Sequence, residues 1–127
     1  MNLALWIAAT LLAVVALAGG ITKTFMPKEK LATNPGAEWT QHASAGFVKT
    51  LGVLELLAAV GLILPAVLGI APVLVPVTAS CWVLLMIGAM IAHVRYGPSR
   101  FALLNVVYLA VAAFIVWGRF GPESFTA

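Results

Sequence analysis

Four long apolar segments dominate the chain, and most of the charged residues collect between them. The segments cover about residues 3–22, 47–68, 73–93 and 101–118. Each is close to the roughly 20 residues that a helix needs to cross a hydrocarbon core of about 30 Å. No stretch alternates with the period of barrel strands, so the pattern predicts an all-α, integral membrane four-helix bundle.

The connections between these segments differ in length and in turn chemistry. Pro65 and Gly69 mark the short second connection, and Gly97 and Pro98 mark the third. We expect the longer first connection to be partly helical and cytoplasmic. Because the apolar segments leave no room for a separate soluble module, we predict one transmembrane domain over residues 1–127.

Composition supports a chain that lies in the bilayer. Hydrophobic residues make up 63%, charged residues only 9%, and the mean hydropathy is +1.10. About a quarter of the residues in a soluble domain are charged. The start of the first segment lacks the basic region of a signal peptide, so we expect this segment to be retained as a helix.

The Lys and Arg residues lie mainly beside two of the three connections. Six of the seven flank the first and third connections, and Arg119 lies near the C-terminus. The six are Lys23, Lys28, Lys30, Lys49, Arg95 and Arg100. The positive-inside rule then predicts a multi-pass plasma (inner) membrane protein with both termini on the non-cytoplasmic side. Basic residues divided between two connections do not form a continuous surface for the phosphates of a nucleic acid, so we expect no nucleic-acid partner.

Cofactor and thiol chemistry find little support in the sequence. Cys81 is the only cysteine, so a self-contained dithiol is excluded, and we expect its side chain to pack in the core. His42 and His93 fall outside the middle of the predicted helices, where a haem would need its ligands, and no zinc spacing occurs. We therefore predict no catalytic residue, no metal and no intrinsic cofactor, and favour a protein that is not an enzyme.

Glu55 is the one acidic residue within an apolar segment. A charged residue at the centre of a membrane helix costs about 2.5–3.5 kcal/mol, so Glu55 should face the bundle interior and have a partner. Gly52 and Ala59 share its helix face, and an antiparallel hairpin places Trp82 at its level. We expect these three residues to line a pocket at Glu55. Two roles remain open for Glu55, a structural hydrogen-bond hub and a proton or ligand site.

Other polar residues are expected near the cytoplasmic ends of the helices, above Glu55. They are Lys23, His42, His93, Arg95 and Asn105. His93 lies roughly 16 Å further along the hairpin than the level of Glu55, so the two side chains should not touch. The sequence predicts a polar shaft that runs from a basic mouth down to the buried carboxylate.

Four stretches together resemble the DoxX-like family of small four-helix membrane proteins. They are "GGITKTFMP" (19–27), "GVLELLAAVGLILP" (52–65), "IGAMIAHVRYG" (87–97) and "NVVYLAVAAFIVWGR" (105–119). The resemblance covers nearly the whole chain. It implies a four-helix bundle.

The resemblance also marks Lys23, Glu55, His93 and Asn105 as polar positions of the family. The family takes its name from a subunit of a thiosulfate:quinone oxidoreductase, and some relatives are implicated in membrane redox-stress complexes. The missing second cysteine argues against an independent thiol-redox role for this chain.

Three classes of function follow from these observations. The favoured one is a non-catalytic or accessory subunit that binds a lipid, a quinone-like molecule or a partner protein. The first alternative is a proton-coupled small-molecule transporter that acts as a dimer, and the second is a quinone- or thiosulfate-linked component of a membrane oxidoreductase. The expected partners are the lipid bilayer and either a second copy of the chain or a larger membrane complex.

Overall fold

The computed structural model describes residues 1–35, 37–97 and 99–125, and it confirms the all-α four-helix bundle. The four long helices are α1 (Asn2–Phe25), α3 (Ala45–Leu68), α4 (Leu74–Tyr96) and α5 (Phe101–Phe120). All four are long and apolar enough to cross a membrane. The connection between α1 and α3 is partly helical, as expected, and it contains α2 (Lys28–Leu31) and a 3-10 helix (Glu38–His42).

Local sequence accounts for the ends of α3. The side chain of Ser44 caps its first turn by accepting a hydrogen bond from the amide of Phe47 at 3.1 Å. Gly69 ends the helix in the left-handed conformation, with φ of 68°, which a glycine adopts at little cost. Pro65 lies inside the helix.

The helices form two closely packed pairs, α1 with α3 and α4 with α5. Glycines bring α1 and α3 together. A Cβ atom at Gly20 would lie 2.9 Å from the carbonyl oxygen of Gly52, and one at Gly52 would lie 2.5 Å from Thr24 Oγ1. Only glycine allows the two backbones to approach this closely, as at other small-residue contacts in membranes.

The two pairs meet most closely towards the end of the bundle that carries the α3–α4 turn and both termini. There Gly61 of α3 abuts Thr78 of α4, and Gly118 of α5 abuts Leu5 of α1. The core between the pairs consists of small and branched side chains from all four helices. Trp82 is its largest fully buried side chain, with 2% of its surface exposed.

The outward faces of the long helices carry large apolar side chains, including Leu3, Leu84 and Leu103, each at least 70% exposed. Such a surface suits lipid and not water. Cys81 belongs to this exposed surface, so the expectation that it packs in the core is wrong. One residue further along α4, Trp82 takes the buried position instead.

Candidate functional site

A cavity of about 700 Å³ lies between the two helix pairs, at the end where the α1–α3 connection crosses the bundle. All four long helices and the connection contribute to its lining. The walls are mainly apolar and include Leu51, Leu85, Met86 and Ala89. The side chains that bring polar atoms are Thr22, Lys23, Asn34, Trp39, Thr40, His42, Glu55, Trp82, His93, Tyr96, Asn105 and Tyr108.

Lys23 and Glu55 form an ion pair in the wall of this cavity. Lys23 Nζ lies 3.0 Å from Glu55 Oε2 and donates a hydrogen bond to Oε1 at 3.3 Å. The Glu55 side chain is only 8% exposed, whereas that of Lys23 is 21% exposed. The pair therefore neutralises the buried carboxylate and joins α1 to α3.

Gly19 makes room for this pair, and the sequence analysis did not single it out. A Cβ atom at Gly19 would lie 3.3 Å from both Glu55 Oε1 and Lys23 Nζ. Gly19 and Lys23 are four residues apart and share one face of α1. A glycine one helical turn before a lysine is the sequence feature that could have indicated room for the ion pair.

His93 and Asn105 connect α4 to α5 on the opposite wall. Asn105 Nδ2 lies 2.7 Å from His93 Nδ1 and also donates a hydrogen bond to the carbonyl oxygen of Phe101 at 3.1 Å. Asn105 is 6% exposed. Its amide is thus held between the two helices, which fixes the His93 ring beside the cavity.

The α1–α3 connection covers the polar end of the cavity. Leu31 of α2 and Thr40 of the 3-10 helix are buried at 4% and 0% exposure and line the cavity from this side. The ring of His42 stacks on Tyr96 of α4 with centroids 4.4 Å apart. This segment therefore serves as a cap, and the contact between His42 and Tyr96 joins it to α4.

The structure brings most of the predicted polar residues to one cavity. Glu55, Lys23, His42, His93 and Asn105 all line it, together with Trp82. Glu55 pairs with Lys23, and His93 lies beside Asn105, as the depth difference between Glu55 and His93 leads us to expect.

Three predicted site residues lie elsewhere. Arg95 is exposed, with its guanidinium over the ring of Tyr96 at 5.3 Å, because it projects from the outer face of the last turn of α4. Gly52 is buried in the α1–α3 contact against Thr24, and Ala59 packs against the apolar core. None of these three residues belongs to the lining of the cavity.

Two buried polar atoms near the cavity lack a hydrogen bond to any residue in the described part of the chain. They are Nε1 of Trp82 and Oε2 of Glu55, although Oε2 remains in ionic contact with Lys23. One is a donor and the other an acceptor. Buried polar atoms normally have partners, so these two atoms are exceptions within the described part of the chain.

The model of a family described as the DoxX-like family matches residues 7–115. The match includes all of α3 and α4, most of α1 and α5, and all the described residues that line the cavity. No curated protein and no solved structure matches the chain.

Proposed function

Since the chain belongs to the DoxX-like family, we propose that it is a non-catalytic membrane subunit whose cavity binds a quinone-like amphiphile, with an uncharged polar head and an alkyl tail. The observation that carries this proposal is the cavity of about 700 Å³ between the two helix pairs. Small-molecule sites typically enclose about 300–1,000 Å³ and combine apolar walls with a few polar groups.

The charges around the cavity favour an uncharged head. Lys23 and Glu55 are the only Lys, Arg, Asp or Glu among the described lining residues, and they neutralise each other. An ionised head would add an unpaired charge in a poorly hydrated site, which is costly. The hydroxyl of Tyr108 and the indole of Trp39 offer donors for carbonyl oxygens, and the flat side chains of Trp39 and Trp82 suit a planar ring.

The ion pair also favours binding over proton-coupled transport. A transporter that exchanges a proton for a cationic substrate needs a carboxylate that either can reach. Here Lys23 already occupies the position beside both oxygens of Glu55. The carboxylate thus serves better as a fixed part of the wall that orients the head.

We place the cap and the cavity on the cytoplasmic side of the plasma membrane, with both termini outside. The support for this orientation is the six-to-one distribution of Lys and Arg, which puts the basic residues beside the cap. The ligand head would then lie near the cytoplasmic surface, where a soluble or membrane partner could reach it.

The test measures binding of decyl-substituted benzoquinone to the protein in nanodiscs. Trp6 and Trp117 lie outside the lining and are replaced by Phe, so that quenching reports on Trp39 and Trp82. We expect quenching that saturates with added quinone. Native mass spectrometry of the same sample should show one bound quinone per chain.

Two alanines provide matched variants for this test. Ala92 lines the cavity, whereas Ala110 lies on the exposed surface of α5. Ala92→Phe should abolish saturable quenching and Ala110→Phe should leave it unchanged. Quenching that rises linearly and equally in all proteins would show partition into the lipid only and would refute the proposal.

A further inference from the structure

The cavity reaches the outer surface of the bundle between α3 and α4. Phe47 of α3 is 54% exposed and Leu84 of α4 is 70% exposed, yet both line the cavity. Gly88 lies one turn from Leu84, and a Cβ atom there would meet no atom within 4 Å. Lining residues that are also exposed on both helices indicate an opening towards the lipid.

The packing of α3 and α4 explains this opening. The helices touch near their short connection, where a Cβ atom at Gly61 would lie 2.5 Å from Thr78 Oγ1. Towards Phe47 and Gly88 they are separated by the cavity. The space between them is a wedge that widens away from the α3–α4 turn.

The other routes into the cavity are more restricted. The cap buries Leu31 and Thr40 across the polar end. On the side between α1 and α5, Leu104 is 48% exposed, but the lining residues Val15 and Gly19 of α1 are partly buried. Between the cap and α4, the exposed lining residues His42 and Tyr96 stack on each other. Of the two sides where a long helix of one pair faces a long helix of the other, the α3–α4 side alone has exposed lining residues on both, among the residues that the structure describes.

We propose that the gap between α3 and α4 is a lateral portal through which the ligand enters directly from the bilayer. This inference rests on the proposed function and specifies its ligand as a molecule dissolved in the membrane. The head lies towards Glu55, and the alkyl tail lies between Leu84 and Phe47 and continues into the lipid. The ligand therefore never crosses the cap.

The test fills the portal and compares two quinones. Gly88→Phe places a ring in the open space, and Gly46→Phe is the matched control, because a Cβ atom there also meets nothing within 4 Å and Gly46 is not a lining residue. The probes are decyl-substituted benzoquinone and the same benzoquinone without a tail, measured by the tryptophan quenching described above. The Phe ring would occupy the space that we assign to the alkyl tail, and overpacking is costly. We therefore expect Gly88→Phe to weaken decylquinone binding about tenfold or more. Binding of the tail-free quinone should change less than about twofold, a change too small to indicate a lost contact.

Each result bears on the portal separately from the binding function. Decylquinone that binds wild type and Gly88→Phe equally well would overturn the portal and leave the binding function intact. Absence of saturable binding to wild type would overturn both. A loss of binding of both quinones in folded Gly88→Phe would also overturn the portal, because it would show damage to the head site.

A second pair of variants covers the case in which Gly88→Phe does not fold. Leu84→Phe adds bulk at an exposed portal residue, and Leu104→Phe adds it at the α1–α5 side. The portal predicts weaker decylquinone binding for Leu84→Phe alone. Weaker binding for Leu104→Phe alone would place the opening between α1 and α5 and overturn the inference.

Discussion

Lys23 of α1 contacts both carboxylate oxygens of Glu55 in α3, although 32 residues separate them along the chain. The contact links the first two membrane-spanning helices across the capped connection between them. It lies within the same helix pair as the contact between Gly20 and Gly52. The α1–α3 pair thus combines a close backbone approach with a buried charge pair, and the cavity wall is built on this unit.

A double-mutant cycle tests the ion pair. Glu55→Leu leaves the Lys23 ammonium without its counter-charge, and we expect a loss of about 3–5 kcal/mol in the free energy of unfolding. Adding Lys23→Met should restore part of that loss, because no unpaired charge then remains. The measurement is reversible unfolding in mixed micelles. Additive losses in the double variant would contradict the pairing.

Glu55→Gln separates the hydrogen bond from the charge. Glutamine has nearly the same volume and can still accept a hydrogen bond from Lys23. We expect the variant to insert and fold, with a loss of about 0.6–2 kcal/mol in the free energy of unfolding, because the remaining hydrogen bond no longer has a charged acceptor. In proteoliposomes, proton-driven uptake of an organic cation by the wild type that Glu55→Gln abolishes would instead support a transporter.

The close approach of α1 and α3 should not tolerate a methyl group at Gly52. A Cβ atom there would lie 2.5 Å from Thr24 Oγ1 and 2.7 Å from the Thr24 backbone nitrogen, so the helices must move apart. We expect Gly52→Ala to destabilise the protein by about 1–3 kcal/mol. Gly46→Ala is the control, because its Cβ meets nothing within 4 Å, and it should stabilise the helix by about 0.5–1 kcal/mol. Equal melting temperatures for the two variants would refute this account.

Arg119 should order the C-terminal segment. Its guanidinium lies 3.9 Å from the centroid of the Phe125 ring, and Nη1 donates a hydrogen bond to the carbonyl oxygen of Glu123 at 2.9 Å. Arg119→Lys keeps the charge but loses the planar stacking surface. We expect faster hydrogen exchange over residues 121–125 and a decrease of about 0.5–2 kcal/mol in the free energy of unfolding. Unchanged exchange in this segment would show that the ring contact has no effect.

Membrane orientation can be tested with single cysteines in a Cys81→Ala background. Lys28→Cys lies in α2 of the first connection, and Glu123→Cys lies after α5. The distribution of basic residues predicts labelling of Glu123→Cys, and not of Lys28→Cys, by a membrane-impermeant maleimide added to intact cells. Labelling of Lys28→Cys alone would reverse the proposed orientation.

The fold was predictable from the sequence because each apolar segment has the length of a membrane span and backbone groups in lipid must bond internally. The burial of Glu55 followed from the cost of exposing a carboxylate to hydrocarbon. Whether Lys23 could pair with Glu55 depended on where α1 ends. The first segment was predicted over about residues 3–22, and α1 continues to Phe25, which places Lys23 on the helix face next to α3.

Other features could not be read from one helix at a time. The sequence shows that Gly52 is small, but whether a small residue admits a neighbouring helix or a ligand depends on which helix packs there. Arg95 lies close in sequence to His93, yet the two side chains project from different faces of α4. The cap depends on packing of the α1–α3 connection against α4, which has no local signature in this stretch.

The contact between Gly61 and Thr78 gives the bundle a fulcrum. Phe47 lies 14 residues from Gly61 in the same helix, which is a lever arm of about 21 Å. A rotation of about 5° at the fulcrum would displace the far end of such an arm by about 2 Å. A small rotation of α3 relative to α4 would thus widen the portal for bulkier ligands and leave the hydrogen bonds within each helix unchanged.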